Sequence, residues 1–279
     1  MATTSMTSLT LTNGMTIDQI GFGVFQIPPT ETVAPVRAAI EAGYRLIDTA
    51  QGYGNEEGVG QAVRESGVPR DELFITTKLT NSEHGRDKTL RAFDASMDKL
   101  GLDVLDLFLI HWPLPMYDQY VETWKAFEEL HASGRVRAIG VSNFTKETLQ
   151  RLFDETDTVP VLNQIELHPR FPQAELREFH AQHGIVTEAW SPIGQGKGLL
   201  DEPVLAEIAQ AHGKTPAQVV LRWHVQLGIV AIPKSVNPER IAQNIQVFDF
   251  ELSDDDMARI ATLDTGERMG PDPATASFR

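Results

Sequence analysis

The chain has 279 residues, no cysteine and a formal charge of −15 at pH 7. This length suits two small domains or one (β/α) barrel, which takes about 250 residues. The lack of cysteine excludes disulfides, thiolate metal sites and a cysteine nucleophile. The acidic charge argues against a broad nucleic-acid surface or an anionic membrane as partner.

The histidines and the apolar runs narrow the class of protein further. The eight histidines include no His-x-x-x-His pair, which argues against a protein-held metal. No apolar run approaches the roughly 20 residues that span a bilayer. The Thr/Ser-rich segment Met1–Leu11 lacks the pattern of a secretory signal. We therefore expect a globular protein of the cytoplasm.

A small β-hairpin is predicted ahead of the main fold. Asn13-Gly14 lies between two short alternating segments within Leu9–Ile17. An Asn-Gly dipeptide in this setting is the strongest short-range signal for a tight hairpin turn.

Strand-like and helix-like segments alternate along the rest of the chain, as in a parallel sheet. The eight predicted strands are Ile20–Phe25, Arg45–Thr49, Leu73–Lys78, Val104–His111, Val136–Ser142, Val161–Leu167, Ile185–Ser191 and Ile229–Pro233. No Gly/Pro/Ser-rich linker divides them. We therefore expect an α/β fold, a (β/α)8 TIM barrel, as a single domain over residues 1–279.

Helices are predicted between the strands because apolar residues recur at spacings of three and four, as in Val33–Ile40 and Leu90–Leu100. Two further helices lie outside the repeat, Pro203–His212 and Asp254–Leu263, the latter with Ser253 as its N-cap. Several helices end in a glycine, as a left-handed C-terminal cap prefers. These glycines are Gly43, Gly67, Gly101, Gly134, Gly184 and Gly228.

A doubly wound nucleotide-binding sheet is the structural alternative. It should place Gly-x-Gly-x-x-Gly directly after its first strand. The chain has Gly21-Phe22-Gly23-Val24-Phe25-Gln26, which lacks the third glycine and lies inside a predicted strand. We interpret these glycines as positions of close packing.

Four polar residues, Asp48, Tyr53, Lys78 and His111, end or follow consecutive apolar runs. The carboxyl ends of barrel strands carry the active site, so these side chains should converge at one rim. Taken singly, an Asp–Lys pair is more often a structural ion pair, and a tyrosine in a Gly-rich loop more often packs. Their joint placement favours a catalytic site.

Such a set can protonate a carbonyl oxygen. Tyr53 would donate the proton, and the Lys78 ammonium would lower the phenol pKa from its usual value of about 10. Asp48 would hold the ammonium, while His111 would donate a hydrogen bond to the substrate oxygen. The Lys78 charge can shift the phenol pKa strongly only where water is excluded. We therefore expect a bound cofactor to shield the site from water.

A local basic cluster is predicted in the last third of the chain. Lys234 and Ser235 follow the eighth strand, and Arg240 lies in the first turn of the next helix. Free N–H groups and the dipole at a helix start favour phosphate, and barrels commonly bind phosphate after strands seven and eight. A solvated basic helix start is the alternative interpretation.

Neutral polar groups and an aromatic ring occupy three further strands. Ser142, Asn143 and Gln164 could hold a carboxamide, and Trp190 could stack on a flat ring. On their own these residues are a weak signal, because Ser and Asn at strand ends usually serve as turns or caps.

Seven segments resemble signatures of the aldo-keto reductase family. They are Gly43–Ala50, Tyr53–Glu56, Ile75–Leu79, His111–Pro113, Ile139–Phe144, Asn163–Pro169 and Ile232–Ser235. The resemblance extends over essentially the whole chain and is strongest to the bacterial 2,5-diketo-D-gluconic acid reductases. It implies a (β/α)8 barrel that binds NADP(H) without a Rossmann fold, and it favours a monomer.

The resemblance also implies residue roles. Tyr53 would be the general acid, tuned by Lys78 and Asp48, and His111 would orient the carbonyl. The implied cofactor contacts are Val24, Ser142, Asn143, Gln164 and Trp190 around the nicotinamide, Ser191, Pro192, Gly194 and Gly196 along the pyrophosphate, and Lys234, Ser235, Val236, Arg240, Gln243 and Asn244 around the adenosine 2′-phosphate and adenine. Phe25 and Trp112 would line the substrate pocket.

The chain departs from the family pattern where substrates are chosen. The loop Gln195–Leu200 and the tail Glu267–Arg279 are short, and Thr80 stands where relatives often have Trp. We therefore expect an open, partly aromatic pocket, and the resemblance does not name the substrate.

The predicted activity is NADPH-dependent reduction of an aldehyde or ketone to an alcohol. One alternative is a slow-turnover nicotinamide-binding redox sensor, like the potassium-channel β-subunits of this fold. Another is a barrel hydrolase or isomerase that binds phosphate esters at Lys234 and Arg240, which predicts no nicotinamide dependence.

Overall fold

A computed structural model describes residues 6–279 as a hairpin followed by alternating strands and helices. The strands in this part of the chain are β1 (Ser8–Thr10), β2 (Thr16–Asp18), β3 (Phe22–Gly23), β4 (Leu46–Asp48), β5 (Phe74–Leu79), β6 (Leu105–Ile110), β7 (Val136–Ser142), β8 (Leu162–Glu166), β9 (Val186–Trp190) and β10 (Val230–Ala231). The eight strands β3 to β10 are neighbours in chain order and pair in parallel. The predicted (β/α)8 architecture is confirmed.

The barrel closes where its first strand meets its last. Ile20 forms a parallel bridge with Ala231, and the Gly21 N–H donates to the Ala231 carbonyl at 2.9 Å. β3 and β10 have two residues each and are shorter than predicted. Pro233 has no N–H to continue β10, and the backbone turns at Gln26, whose φ is +63°.

The glycines of the first strand are close-packed, as interpreted. A Cβ on Gly21 would lie 2.6 Å from the Leu46 side chain, and one on Gly23 would lie 3.0 Å from the Ile232 carbonyl oxygen. Neither position has room for a larger residue, so the packing alone accounts for the Gly-Phe-Gly pattern.

The N-terminal hairpin closes one end of the barrel. β1 and β2 pair antiparallel with Leu9 opposite Ile17, as the Asn-Gly turn predicted. Leu11 and Ile17 are buried against side chains at the starts of the barrel strands, including Leu46 and Phe74. The interior is therefore apolar at this end, and access is left to the opposite end.

Ten α-helices surround the barrel in the described part of the chain: α1 (Val33–Glu41), α2 (Glu56–Glu65), α3 (Arg86–Leu100), α4 (Tyr120–Ala132), α5 (Lys146–Glu155), α6 (Ala174–Gln182), α7 (Pro203–His212), α8 (Pro216–Gln226), α9 (Pro238–Asn244) and α10 (Asp254–Ala261). Their apolar faces pack on the sheet: Phe108 of β6, for example, stacks on Phe127 of α4 with ring centroids 4.4 Å apart. Within residues 6–279 no helix combines the length and apolar character that crossing a membrane requires.

The predicted helix ends and extra helices are confirmed. All six predicted cap glycines have positive φ, and at Gly101 the N–H donates to the Met97 carbonyl at 2.8 Å. α7 and α10 are the two helices outside the repeat, and the Ser253 hydroxyl caps α10 by accepting from the Asp256 N–H at 3.1 Å.

Candidate active site

The four predicted catalytic side chains meet at the open end of the barrel. Asp48 ends β4, Lys78 lies near the end of β5, and His111 directly follows β6. Tyr53 closes a short 3-10 turn after β4. Lys78 Nζ lies 3.4 Å from Tyr53 Oη, and the Tyr53 and His111 rings meet edge to face at 5.7 Å.

Lys78 is fully buried and uses its ammonium protons within the site. Nζ donates to Asp48 Oδ1 at 2.5 Å, to the Thr49 carbonyl at 2.9 Å and to Tyr53 Oη at 3.4 Å. Burial lowers the pKa of Lys78, but the Asp48 carboxylate and its hydrogen bond, together with the other acidic neighbours, outweigh burial and leave the pKa above its ordinary value. Lys78 is therefore a fixed cation next to the phenol.

The pKa of Tyr53 corrects one expectation from the sequence. Lys78 does pull this pKa down, but burial has the larger effect and the Asp48 charge adds to it, so the pKa of Tyr53 is raised above its ordinary value. Removal of a phenol from water disfavours the phenolate. Tyr53 consequently carries its proton at neutral pH, as a proton donor requires.

His111 is neutral over the same range. Burial, together with the nearby Lys78 charge, lowers the pKa of His111 to about 3. A neutral imidazole can donate one N–H hydrogen bond, but it is not a proton donor at neutral pH. The two groups facing the opening therefore have different capacities: Tyr53 can release a proton, and His111 can orient an oxygen.

The predicted carboxamide-binding residues also come together. Trp190 Nε1 donates to Asn143 Oδ1 at 2.8 Å, and Asn143 Nδ2 donates to the His111 carbonyl at 2.9 Å. The Ser142 hydroxyl donates to the Gln164 carbonyl at 2.8 Å, and Gln164 Nε2 donates to Asp48 Oδ2 at 2.8 Å. This group is thus connected directly to the set of four.

One part of the rationale for the predicted anion cluster is wrong. The first N–H groups of α9 are not free, because Asn237 Oδ1 accepts from Glu239 N at 2.9 Å and from Arg240 N at 3.2 Å. Lys234 and Arg240 are exposed, and neither forms an ion pair within residues 6–279. An anion here would be held by side chains.

Other predicted cofactor contacts differ in accessibility. Ser191, Val236, Gln243 and Gly196 reach the surface. Pro192 and Gly194 are buried, as is most of Asn244 at 6% exposure. Val24 is fully buried, so it does not reach the accessible surface of the site.

The two predicted substrate residues, Phe25 and Trp112, differ in exposure at the opening of the barrel. Phe25 is 45% exposed, and its ring centroid lies 5.0 Å from that of Tyr53. Trp112 is only 8% exposed, because the C-terminal tail crosses it and places Phe278 edge-on at 5.1 Å. The Tyr117 hydroxyl holds the tail by donating to the Ser277 carbonyl at 2.7 Å. The pocket is therefore open beside Phe25 and covered beside Trp112, despite the short tail.

Sequence reasoning missed Asn55 and Glu188. Asn55 Oδ1 accepts from the Thr49 hydroxyl at 2.8 Å, and its Nδ2 donates to the Val24 and Ile27 carbonyls, which fixes the turn that carries Tyr53. Glu188 is a fully buried acid in β9. The sequence does carry a signal for Glu188: it is a charged residue in a predicted barrel strand, two residues from Trp190 and so on the same face of that strand.

Comparisons with known proteins agree with this geometry. A polar cluster at the carboxyl end of a (β/α)8 barrel places the protein in the class of barrel enzymes. The sequence model of the "Aldo/keto reductase family" matches residues 19–265. The chain belongs to the aldo/keto reductase family and is an oxidoreductase.

Individual relatives are similar over nearly their full length. An aldo-keto reductase of Mycolicibacterium smegmatis is 58% identical, with 97% of this chain and 98% of the relative covered. The methylglyoxal reductase DkgA of Escherichia coli is 51% identical, with 96% and 97% covered. The crystal structure of a Gox0644 mutant in complex with NADPH has 52% identity and a TM-score of 0.94, covering 98% of this chain and all of that one.

Proposed function

We propose that this protein reduces aldehydes or ketones to alcohols with NADPH, and that Tyr53 is the general acid. The observation that carries the proposal is the phenol of Tyr53, 3.4 Å from the ammonium of Lys78, which Asp48 holds at 2.5 Å. Membership of the aldo/keto reductase family and the NADPH bound to a similar protein support NADP(H) as the cofactor.

The residues present fit this cofactor. Gln164 Oε1 accepts no hydrogen bond from residues 6–279 and can accept from a carboxamide N–H. Trp190 is partly exposed and offers a face for the nicotinamide, while the exposed cations Lys234 and Arg240 suit a 2′-phosphate. When bound, NADPH supplies the hydride that reduces the carbonyl carbon.

The chain's own groups handle the proton. Tyr53 Oη gives its proton to the substrate oxygen, and Lys78 stabilises the phenolate that remains. Asp48 keeps Lys78 charged and in place. The neutral His111 donates a hydrogen bond to the same oxygen and so fixes the carbonyl as negative charge develops on it.

The proposed substrates are small carbonyl compounds. The open side of the pocket is formed by Phe25, and the covered side by Trp112 and Phe278. Methylglyoxal is a small carbonyl compound, and the Escherichia coli relative is named a methylglyoxal reductase.

We also propose that the enzyme acts in the cytoplasm as a monomer. A mass of two chains measured by light scattering would contradict the monomer.

A carbonyl substrate panel, followed by NADPH consumption with NADH in parallel, tests the proposal. We expect sustained multiple turnover with methylglyoxal or an aryl aldehyde, and a preference for NADPH. NADPH binding with no more than one slow turnover would favour the redox-sensor alternative. Absence of any nicotinamide dependence would contradict both and favour the phosphate-ester alternative.

Arg240→Ala tests the cofactor assignment. Loss of one charge-assisted hydrogen bond costs about 1.5–3 kcal/mol, so the Kd for NADPH should rise about 10-fold to 100-fold. The Kd for NADH should change little because NADH lacks the 2′-phosphate. Fluorescence titration of both nucleotides measures this, with Arg91→Ala, another exposed arginine, as the matched control. Equal weakening of both nucleotides would contradict the assigned role.

A further inference from the structure

Glu188 is a buried acid that the proposed reaction does not use. It lies in β9 on the same face as Trp190, two residues away, and its exposure is 0%. Its Oε2 accepts a hydrogen bond from Gln164 Nε2 at 2.9 Å. Its Oε1 is buried and has no hydrogen-bond partner within residues 6–279. An unpartnered oxygen of this kind calls for an explanation.

Gln164 connects Glu188 to the catalytic set through a single nitrogen. Its Nε2 donates to Asp48 Oδ2 at 2.8 Å and to Glu188 Oε2 at 2.9 Å, so both amide protons are used on carboxyl groups. The amide oxygen is therefore the group left for a ligand. Glu188 is two hydrogen bonds from Asp48, which holds Lys78.

Two charged groups face the buried side chain of Glu188. From the other strands it faces Asp48 of β4 and Lys78 of β5, with Tyr53 beyond them. The neighbouring β10 places Val230 opposite Glu188 and brings no ionisable group. The neighbouring β8 brings Gln164 and also Glu166, which is bonded to His168 and to the tail N–H groups of Met269 and Gly270.

Burial, with a smaller contribution from the Asp48 charge, raises the pKa of Glu188 to about 8. At neutral pH the side chain is therefore mainly a neutral acid. A small change of charge nearby is enough to move a group with this pKa across the neutral range.

We propose that Glu188 is a positioning residue: as a neutral acid it holds the Gln164 amide with its oxygen towards the nicotinamide carboxamide, and it releases its proton to solvent when NADP⁺ rather than NADPH is bound. This inference rests on the proposed function, which places the nicotinamide at Gln164 and Trp190. The oxidised ring carries a positive charge that the reduced ring lacks. A carboxylate at Glu188 is stabilised by that charge only in the NADP⁺ complex.

Linkage gives the measurable consequence. If NADP⁺ favours the ionised form of Glu188, ionisation of Glu188 must favour NADP⁺ over NADPH by the same factor. The ratio of Kd for NADPH to Kd for NADP⁺ should therefore rise with pH through the pKa of about 8. Couplings of this type are typically about 5-fold or more.

The test is fluorescence titration of both nucleotides below and above that pH, in the wild type and in Glu188→Gln. The variant keeps an acceptor for Gln164 but is neutral at every pH, so its Kd ratio should be flat. Glu56→Gln is the matched control: Glu56 is also buried with one unpartnered oxygen, but it accepts from Thr77 and Ser96 instead. It should keep the wild-type pH dependence.

The free protein provides a second readout. Native Glu188 holds its proton up to about pH 8, whereas in the unfolded chain it ionises near 4.5. This group therefore lowers the stability of the wild type as pH rises between these values. Glu188→Gln lacks this loss, so its Tm should exceed that of the wild type by a margin that grows up to about pH 8.

Each outcome decides the proposal. A wild-type Kd ratio that is independent of pH would overturn it, as would an unchanged pH dependence in Glu188→Gln. If that variant does not fold, calorimetry of the wild type in buffers of different ionisation enthalpy measures proton release on NADP⁺ binding. Zero release near the pKa of Glu188 would also overturn it. Failure of both nucleotides to bind would contradict the proposed function itself, and this inference with it.

Discussion

Tyr53→Phe is expected to lower kcat by about 10²-fold to 10⁴-fold, the usual contribution of a positioned general acid. The Kd for NADPH should stay near the wild-type value, because the phenol hydroxyl bonds to Lys78 and faces the carbonyl oxygen rather than the cofactor. Single-turnover kinetics under saturating NADPH, together with fluorescence titration, separates the two quantities.

Tyr44→Phe is the matched control for this substitution. The Tyr44 hydroxyl is also buried, but it donates to the Ile241 carbonyl at 3.0 Å in the helical layer. This variant should lose some stability and keep its kcat. If Tyr53→Phe retained wild-type turnover, the assignment of the acid would be wrong.

Lys78→Met is expected to affect both stability and turnover. It leaves the buried Asp48 carboxylate without the ammonium that lies 2.5 Å from it. Removal of one partner of a buried ion pair typically costs about 3–5 kcal/mol. Urea unfolding should show a loss of this size, and turnover should fall because nothing stabilises the phenolate of Tyr53.

The double variant Lys78→Met/Asp48→Asn separates these effects. It leaves no unpaired buried charge, so part of the lost stability should return, while turnover should stay low. A single variant as stable as the wild type would contradict the ion-pair account. Recovery of turnover in the double variant would refute the role of Lys78 beside Tyr53.

Much of the site could be predicted because barrel topology converts position in the sequence into position in space. Asp48, Lys78 and His111 end or follow buried strands, and parallel strands bring such ends to one rim. Gln164 and Trp190 follow from the same rule. The barrel itself was predictable because its strands are apolar runs separated by helices of clear periodicity.

The remaining features depend on contacts between distant parts of the chain. The tail covers Trp112 through Phe278, and no local pattern indicates this. The pKa of Tyr53 depends on how far burial outweighs Lys78, which only the packed site determines. At α9, Asn237 occupies the N–H groups that were expected to be free. An Asn directly before Pro238 is itself a recognisable N-cap signal.

We propose that the nicotinamide lies at the open end of the barrel, against Trp190 and within reach of Tyr53 and His111. A crystal structure of the protein with NADP⁺ measures this directly. We predict that the ring stacks on Trp190, that its carboxamide bonds to Gln164 Oε1, and that its C4 faces the space next to Tyr53 Oη. A nicotinamide bound anywhere else, or with C4 turned away from Tyr53, would contradict the account.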